Sequence, residues 1–141
     1  MLHTPDDHNY QYITDASGLT HLNFEVKASN DAHLGLSAQQ NDLPDMYEIV
    51  IGGWANAKSG IRRTKGGTDL VTVDTPDILL GTEFRGFWVS WNDGTIKVGR
   101  AGESFPFMEW TDPNPLAVNY IGYSTGWGST GEFRFCTEYG K

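Results

Sequence analysis

The feature that most constrains this chain is its lack of a helical repeat. No segment of about 11 residues or more spaces its apolar side chains at the 3.6-residue period of an amphipathic helix. Apolar and polar residues instead alternate over short runs, as at 22–27 and 132–135. Turn signals every 8–12 residues or so separate about ten such runs. We therefore expect an all-β fold, an antiparallel β-sandwich of jelly-roll-like form.

One predicted hairpin, residues 46–63, fixes part of the strand pairing. A Gly-Gly pair ends its first strand, because glycine accepts the positive φ of a tight turn. If Ile49 pairs with Ile61, the same register places Glu48 opposite Arg62. A carboxylate–guanidinium pair across the strands would hold that register.

The chain length suits a single domain. With 141 residues, the chain can bury about 68% of its unfolded surface. We expect one sandwich over residues 9–141, preceded by a flexible start at 1–8, where Pro5-Asp6-Asp7 suits no regular element. Cys136 is the sole cysteine in the sequence, which excludes an intrachain disulfide.

Composition argues against several partners. The net charge is −8 and the isoelectric point is near 4.7, whereas nucleic-acid and anionic membrane surfaces require basic patches. The apolar runs fall well short of the roughly 20 residues of a membrane-spanning helix. The first ten residues have neither the basic nor the apolar region of a secretory signal.

Strand parity groups the candidate ligand-binding residues at two ends of the sandwich. Connections alternate between the ends of an antiparallel sheet, so the loops near residues 54, 103 and 127 should share one end. That end would carry Trp54, Asn56, Ser59, Glu103 and Trp127. Trp127 leads because its flanking glycines leave the ring face open, although a ring folded over the sandwich end is an equal alternative. A core position is more typical of Trp54.

The opposite end is the alternative site. It would carry Asn92, Asp93, Trp110, Asp112 and Asn114. Turn chemistry by itself explains Asn92-Asp93 and Asp112, but Asp93, Asp112 and Asn114 could instead hold Ca²⁺ through their oxygens. The four histidines, His3, His8, His21 and His33, have no metal-ligand spacing along the chain.

These residue types suit a sugar ligand. A sugar presents an apolar C–H face to an aromatic plane and a ring of hydroxyls to planar polar groups. Loops on a rigid sandwich can supply both. A protein-interaction module that works through exposed strands is the alternative. Glycoside hydrolysis by Glu103, Glu109 and Asp112 is disfavoured, since surface acids are expected at this net charge.

Three runs of the sequence resemble the farnesoic acid O-methyltransferase-like domain of invertebrates. They are YEIVIGGWANAKSGIRR, FWVSWNDGTIKVG and DPNPLAVNYIGYSTGWGSTGEFRF, and the resemblance spans residues 24–135 or so. Phe133 departs from the pattern, where the family often has Trp. The resemblance implies a β-sandwich that recurs in extracellular proteins, with sugar-binding lectins among similar short proteins of marine invertebrates.

The family name implies methyl transfer, but the residues do not support it. S-adenosylmethionine is usually bound by a parallel α/β sheet with a glycine-rich turn before a helix, and we predict no such helix. We expect a non-enzymatic, extracellular lectin for glycans with galactose-type terminal sugars, without a cofactor unless Ca²⁺ is used. We also expect a homo-oligomer, because multivalency raises avidity by about 10²–10⁴-fold.

Overall fold

The computed structural model, described over residues 2–13, 18–40 and 45–136, contains twelve strands in two antiparallel six-stranded sheets. The side chain of Cys136 lies outside the described part. The predicted all-β antiparallel sandwich is confirmed, with twelve strands instead of about ten. Within the described ranges, no helical segment is long and apolar enough to cross a lipid bilayer.

Each sheet is described by its strands in spatial order. Sheet 1 contains β1 (Leu2–Thr4), β12 (Gly131–Cys136), β3 (His21–Ala28), β8 (Arg85–Ser90), β9 (Thr95–Arg100) and β10 (Met108–Thr111). Sheet 2 contains β2 (Gln11–Ile13), β11 (Tyr120–Thr125), β4 (Ala32–Ser37), β5 (Tyr47–Gly52), β6 (Lys58–Arg62) and β7 (Asp69–Asp74). Single helical turns, Gly53–Asn56 and Asn92–Gly94, lie in two of the hairpins.

The core lies between the sheets because the strands alternate in polarity. In β3, Leu22, Phe24 and Val26 are buried, whereas the residues between them are exposed or half-buried. Phe133 of β12 is fully buried, and its ring centroid lies 5.4 Å from that of Tyr123 across the core. The apolar faces of the two sheets therefore cover each other.

The predicted hairpin forms in the predicted register. Ile49 pairs with Ile61 and Glu48 with Arg62. Arg62 Nη1 donates to Glu48 Oε1 at 2.9 Å, so the cross-strand ion pair is confirmed. The hairpin contributes two central strands of sheet 2.

Residues 2–4 form a strand within the stretch 1–8, for which the sequence predicted a flexible start. β1 pairs with β12 at the edge of sheet 1. Asp6 then forms a bridge with Thr125, and the His8 amide donates to the Thr125 carbonyl at 2.9 Å. These partners lie more than a hundred residues away, so no local pattern signals the pairing. Residues 6–10, which we call the N-terminal strap, lead from β1 to β2.

Candidate functional site

The outer face of sheet 2 carries ionisable side chains in adjacent strands. In cross-strand register Glu48 lies beside Arg62, and Arg62 lies beside Asp69. His33 lies on the neighbouring strand β4, two residues from the glycine that pairs with Glu48. Glu48 and His33 are both 0% exposed, although they point away from the core. They are buried because the N-terminal strap packs over them.

Glu48 is the centre of this hydrogen-bond network. Its Oε1 accepts from Arg62 Nη1 and from the Gly66 amide, and its Oε2 accepts from His8 Nε2 at 2.9 Å and from the Tyr10 hydroxyl. Burial acts to raise the pKa of Glu48, but the bonds from His8, Tyr10 and Gly66 outweigh it and lower the pKa to about 2. The carboxylate is therefore charged at neutral pH.

His33 lies between two carboxylates. Its Nε2 is 3.0 Å from Asp31 Oδ2, and its Nδ1 is 4.0 Å from Glu48 Oε2. Burial lowers the pKa of His33, although the hydrogen bond to Asp31 opposes the shift. The His8 ring packs edge-on at a centroid distance of 4.4 Å. Spacing along the chain did not predict this cluster, because the fold collects it from three separate segments.

A groove of about 540 Å³ opens beside the network. Trp54 and Trp127 both line it and are 42% and 71% exposed. Arg62 joins the groove to the network, since its Cζ lies 5.9 Å from the Trp54 ring centroid and its Nε donates to Asp69 at 2.7 Å. The lining consists of Asn30, Asp31, Val50, Gly53, Trp54, Ala55, Arg62, Asp69 and Trp127.

Both tryptophans lie in left-handed backbone. Residues 54–56 have φ values of 52°, 59° and 65°, and Trp127 has φ of 54°. Such conformations cost L-residues about 1–2 kcal/mol each, and they concentrate at ligand-binding sites. Asn30 Nδ2 holds the second turn by donating to the Trp127 carbonyl at 3.2 Å. The left-handed turn also explains why Trp54 is exposed at the groove instead of buried in the core.

Three other residues predicted at this end do not line the groove. The Asn56 side chain is bonded to both backbone groups of Leu79, at 2.9 and 3.0 Å. Ser59 is fully buried, and its hydroxyl accepts from the Gly52 amide at 3.2 Å and is hydrogen-bonded to the Thr75 hydroxyl at 2.7 Å. Glu103 is exposed in the β9–β10 connection of the other sheet, where its carbonyl accepts from the Trp88 indole at 2.8 Å. Of the five residues, the fold brings Trp54 and Trp127 together.

The residues predicted at the opposite end are Asn92, Asp93, Trp110, Asp112 and Asn114. The first two are exposed in the β8–β9 turn, and the Trp110 ring lies 6.5 Å from that of Tyr47. Asp112 is buried and accepts hydrogen bonds from Arg63 Nε at 2.8 Å, the Tyr47 hydroxyl at 2.7 Å and the Asn114 amide at 2.8 Å. These contacts give Asp112 a structural role that needs no cation.

The Asp112 contacts predict a pH dependence of stability. Burial acts to raise the pKa of Asp112, but the bonds from Arg63, the Asn114 amide and Tyr47 outweigh it, so the pKa is lowered. A lowered carboxylate pKa stabilises the fold above the ordinary value, and this contribution is lost as pH falls through the lowered one. We expect Asp112→Asn to unfold at lower urea concentration than the wild type at about pH 7, and we expect the gap to close as pH falls below the ordinary range of an Asp carboxyl. A gap independent of pH would contradict this assignment.

A family model described as farnesoic acid O-methyl transferase matches residues 6–139. The chain belongs to this family. The match includes both tryptophan turns and the Glu48 hairpin, and it confirms the resemblance seen in the sequence. Among curated proteins, none matches this member of the farnesoic acid O-methyl transferase family.

Solved structures with the same sandwich include carbohydrate-active and carbohydrate-binding proteins. This farnesoic acid O-methyl transferase family member superposes on a glycosidic hydrolase (TM-score 0.58, 15% identity, 84% of this chain and 63% of that one). A Bacillus licheniformis β-glucanase superposes with a TM-score of 0.57 and 13% identity, covering 89% of this chain and 66% of the glucanase. A Caenorhabditis elegans galectin superposes with a TM-score of 0.55 and 13% identity, covering 93% of this chain and 93% of the galectin. The chain thus spans less than two thirds of each hydrolase. At these identities the similarity establishes the fold alone.

Proposed function

We propose that this protein is a lectin that binds a terminal sugar of galactose type in the groove between Trp54 and Trp127. The observation that carries the proposal is that two exposed indoles and a set of anchored charged groups line one groove of about 540 Å³. Small-molecule sites of this kind measure about 300–1,000 Å³ and combine apolar walls with few polar groups.

Each part of the groove suits one part of a sugar. The indole of Trp127 offers a flat apolar surface for the C–H face of a pyranose, and galactose presents an uninterrupted apolar patch on one face. Arg62 commits Nε and Nη1 to carboxylates, so Nη2 is the donor it could offer to a hydroxyl. Asp31 and Asp69 supply acceptors, and their charge favours a neutral sugar over an acidic one.

We further propose that binding occurs without catalysis, on extracellular glycans, and in a homo-oligomer. The fold supports a binding role, because the described strands pair antiparallel, whereas methyl transfer from S-adenosylmethionine typically uses a parallel α/β sheet. Calorimetric titration with S-adenosylmethionine tests this part of the proposal. Saturable binding would favour methyl transfer, and its absence is expected. Sedimentation would test the oligomer.

Trp127→Ala is the decisive variant for the sugar site. Loss of one stacking ring should weaken glycan binding by about 10–100-fold, equivalent to roughly 1.5–3 kcal/mol. Thermal stability should hardly change, because the side chain is 71% exposed. Phe105→Ala is the matched control, since Phe105 is 84% exposed and does not line the groove; it should retain binding.

A glycan array with the full chain, run with Ca²⁺ and again with EDTA, supplies the readout. We expect a coherent set of galactose-terminated glycans to bind in both conditions. A blank array would favour the protein-interaction module instead. Binding that survives Trp127→Ala, disappears in EDTA and is restored by Ca²⁺ alone would locate the ligand at the Asp93–Asp112 end and contradict the groove.

A further inference from the structure

His8, His33 and Glu48 form a cluster beside the groove that sugar binding does not use. Each offers one possible ligand atom, and the three atoms all lie within 4.8 Å of one another. Glu48 Oε2 is 2.9 Å from His8 Nε2 and 4.0 Å from His33 Nδ1. A tetrahedral zinc site with bonds of 2.0–2.1 Å separates its ligand atoms by about 3.4 Å. One of the two distances is shorter than that value and the other is longer, so small side-chain rotations would bring these atoms to the separation of zinc ligands.

The Nδ1 atom of His33 is the most informative part of this cluster. It is buried and has no hydrogen-bond partner among the described residues. On the other side of the ring, Nε2 lies 3.0 Å from Asp31 Oδ2. A carboxylate can only accept, so Nε2 carries the proton and Nδ1 presents a lone pair to the cluster. A carboxylate behind a histidine is the usual support of a metal-binding imidazole.

The two oxygens of Glu48 have separate partners. Oε1 accepts from Arg62 Nη1 at 2.9 Å and from the Gly66 amide at 2.8 Å, and these bonds fix the carboxylate group. Oε2 faces the histidines and also accepts from the Tyr10 hydroxyl. Arg62 therefore orients the carboxylate without occupying the oxygen that faces the two imidazoles.

The surrounding charge favours a divalent cation. Glu48, Asp31 and Asp69 contribute three carboxylates to the linked network, against the single guanidinium of Arg62. Lys65 lies at its edge, with Nζ 5.6 Å from the Tyr10 ring centroid. Glu48 and Asp31 are buried, where negative charge is costly unless it is compensated, and a bound cation would add to the compensation that Arg62 gives.

We propose that His8 Nε2, His33 Nδ1 and Glu48 Oε2 bind one zinc ion, with a water molecule as fourth ligand. The proton that His8 Nε2 donates to Glu48 Oε2 in the metal-free protein would leave that nitrogen, with the ring taking its other tautomer, and the ion would replace that hydrogen bond. Two imidazoles and one carboxylate are a zinc-type donor set, whereas Ca²⁺ takes six to eight oxygens. The ion would tie the N-terminal strap, through His8, to strands β4 and β5. This site does not depend on the proposed sugar ligand.

Metal titration of the chelator-treated full chain tests the proposal. We expect calorimetry to give one Zn²⁺ per chain and no saturable binding of Ca²⁺, and we expect Co²⁺ to give the visible absorption of a tetrahedral site. His8→Gln should abolish zinc binding, and Asp31→Asn should weaken it by about 10–100-fold. His21→Gln is the control, because His21 is exposed on sheet 1 and should bind zinc normally.

A measurement on the wild type guards against variants that misfold. Histidine ring signals in nuclear magnetic resonance spectra should shift with Zn²⁺ for His8 and His33 and stay unchanged for His3 and His21. Absence of saturable zinc binding would overturn the proposal. Zinc binding that survives His8→Gln, or that shifts His3 in place of His33, would likewise overturn it.

Discussion

Glu48→Ala is expected to destabilise the metal-free protein by about 3–5 kcal/mol, the usual effect of removing one partner from a buried ion pair. The carboxylate is fully buried and accepts hydrogen bonds from Arg62, Gly66, His8 and Tyr10. Alanine would remove the acceptor that these donors share, at a buried position beneath the N-terminal strap. Urea unfolding in EDTA at about pH 7 measures the loss.

Two variants isolate the cause. Glu48→Gln keeps the side-chain volume and one acceptor oxygen, so its loss should be smaller. Glu25→Ala removes an exposed ion pair with Arg134, whose side chains are 43% and 46% exposed, and should cost at most about 1 kcal/mol. If Glu48→Ala were no worse than Glu25→Ala, the network would not be what stabilises this face of sheet 2.

Phe133→Ala is expected to cost about 3–5 kcal/mol, the range for removing a large aromatic ring from a packed core. Phe133 is fully buried, stacks on Phe135 at a centroid distance of 5.7 Å and contacts Tyr123 across the sandwich. The cavity would lie between the two sheets, where neither backbone can collapse without breaking strand pairing. Urea unfolding again gives the free energy.

The Phe105→Ala variant used for the sugar site is also the control here. Phe105 is 84% exposed, so its removal should change stability by no more than about 0.5 kcal/mol. A loss below about 1 kcal/mol for Phe133→Ala would mean that the core relaxes around the missing ring, contrary to the close packing of these aromatic side chains.

The sequence was sufficient to predict the sandwich and the hairpin of residues 46–63, because both depend on patterns within short segments of the chain. The alternation of apolar and polar residues determines which face of a strand is buried. Once Ile49 pairs with Ile61, the antiparallel register places Glu48 opposite Arg62 without further assumptions. For Trp127 the sequence left an open ring and a ring folded over the sandwich end as equal alternatives, and its glycine neighbours did not decide between them. The exposure of Trp54 could not be predicted, because the sequence Trp-Ala-Asn does not indicate three successive residues in the left-handed conformation.

The candidate site itself could be predicted only in part. The sequence suggested loops at the end of the sandwich, whereas the groove lies against the outer face of sheet 2, with the two tryptophan turns at its border. The cluster of His8, His33 and Glu48 depends on the pairing of β4 with β5 and on the N-terminal strap, which supplies His8 and covers the other two residues on the outer face of sheet 2. Each of these is a tertiary relation between distant segments, which spacing along one chain does not reveal.

The position of the N-terminal segment has a consequence for handling the protein. β1 and β2 are each the last strand on one side of their sheets, next to β12 and β11. Removing residues 2–13 would therefore uncover two long strand edges on the same side of the sandwich, and open edges invite pairing between molecules.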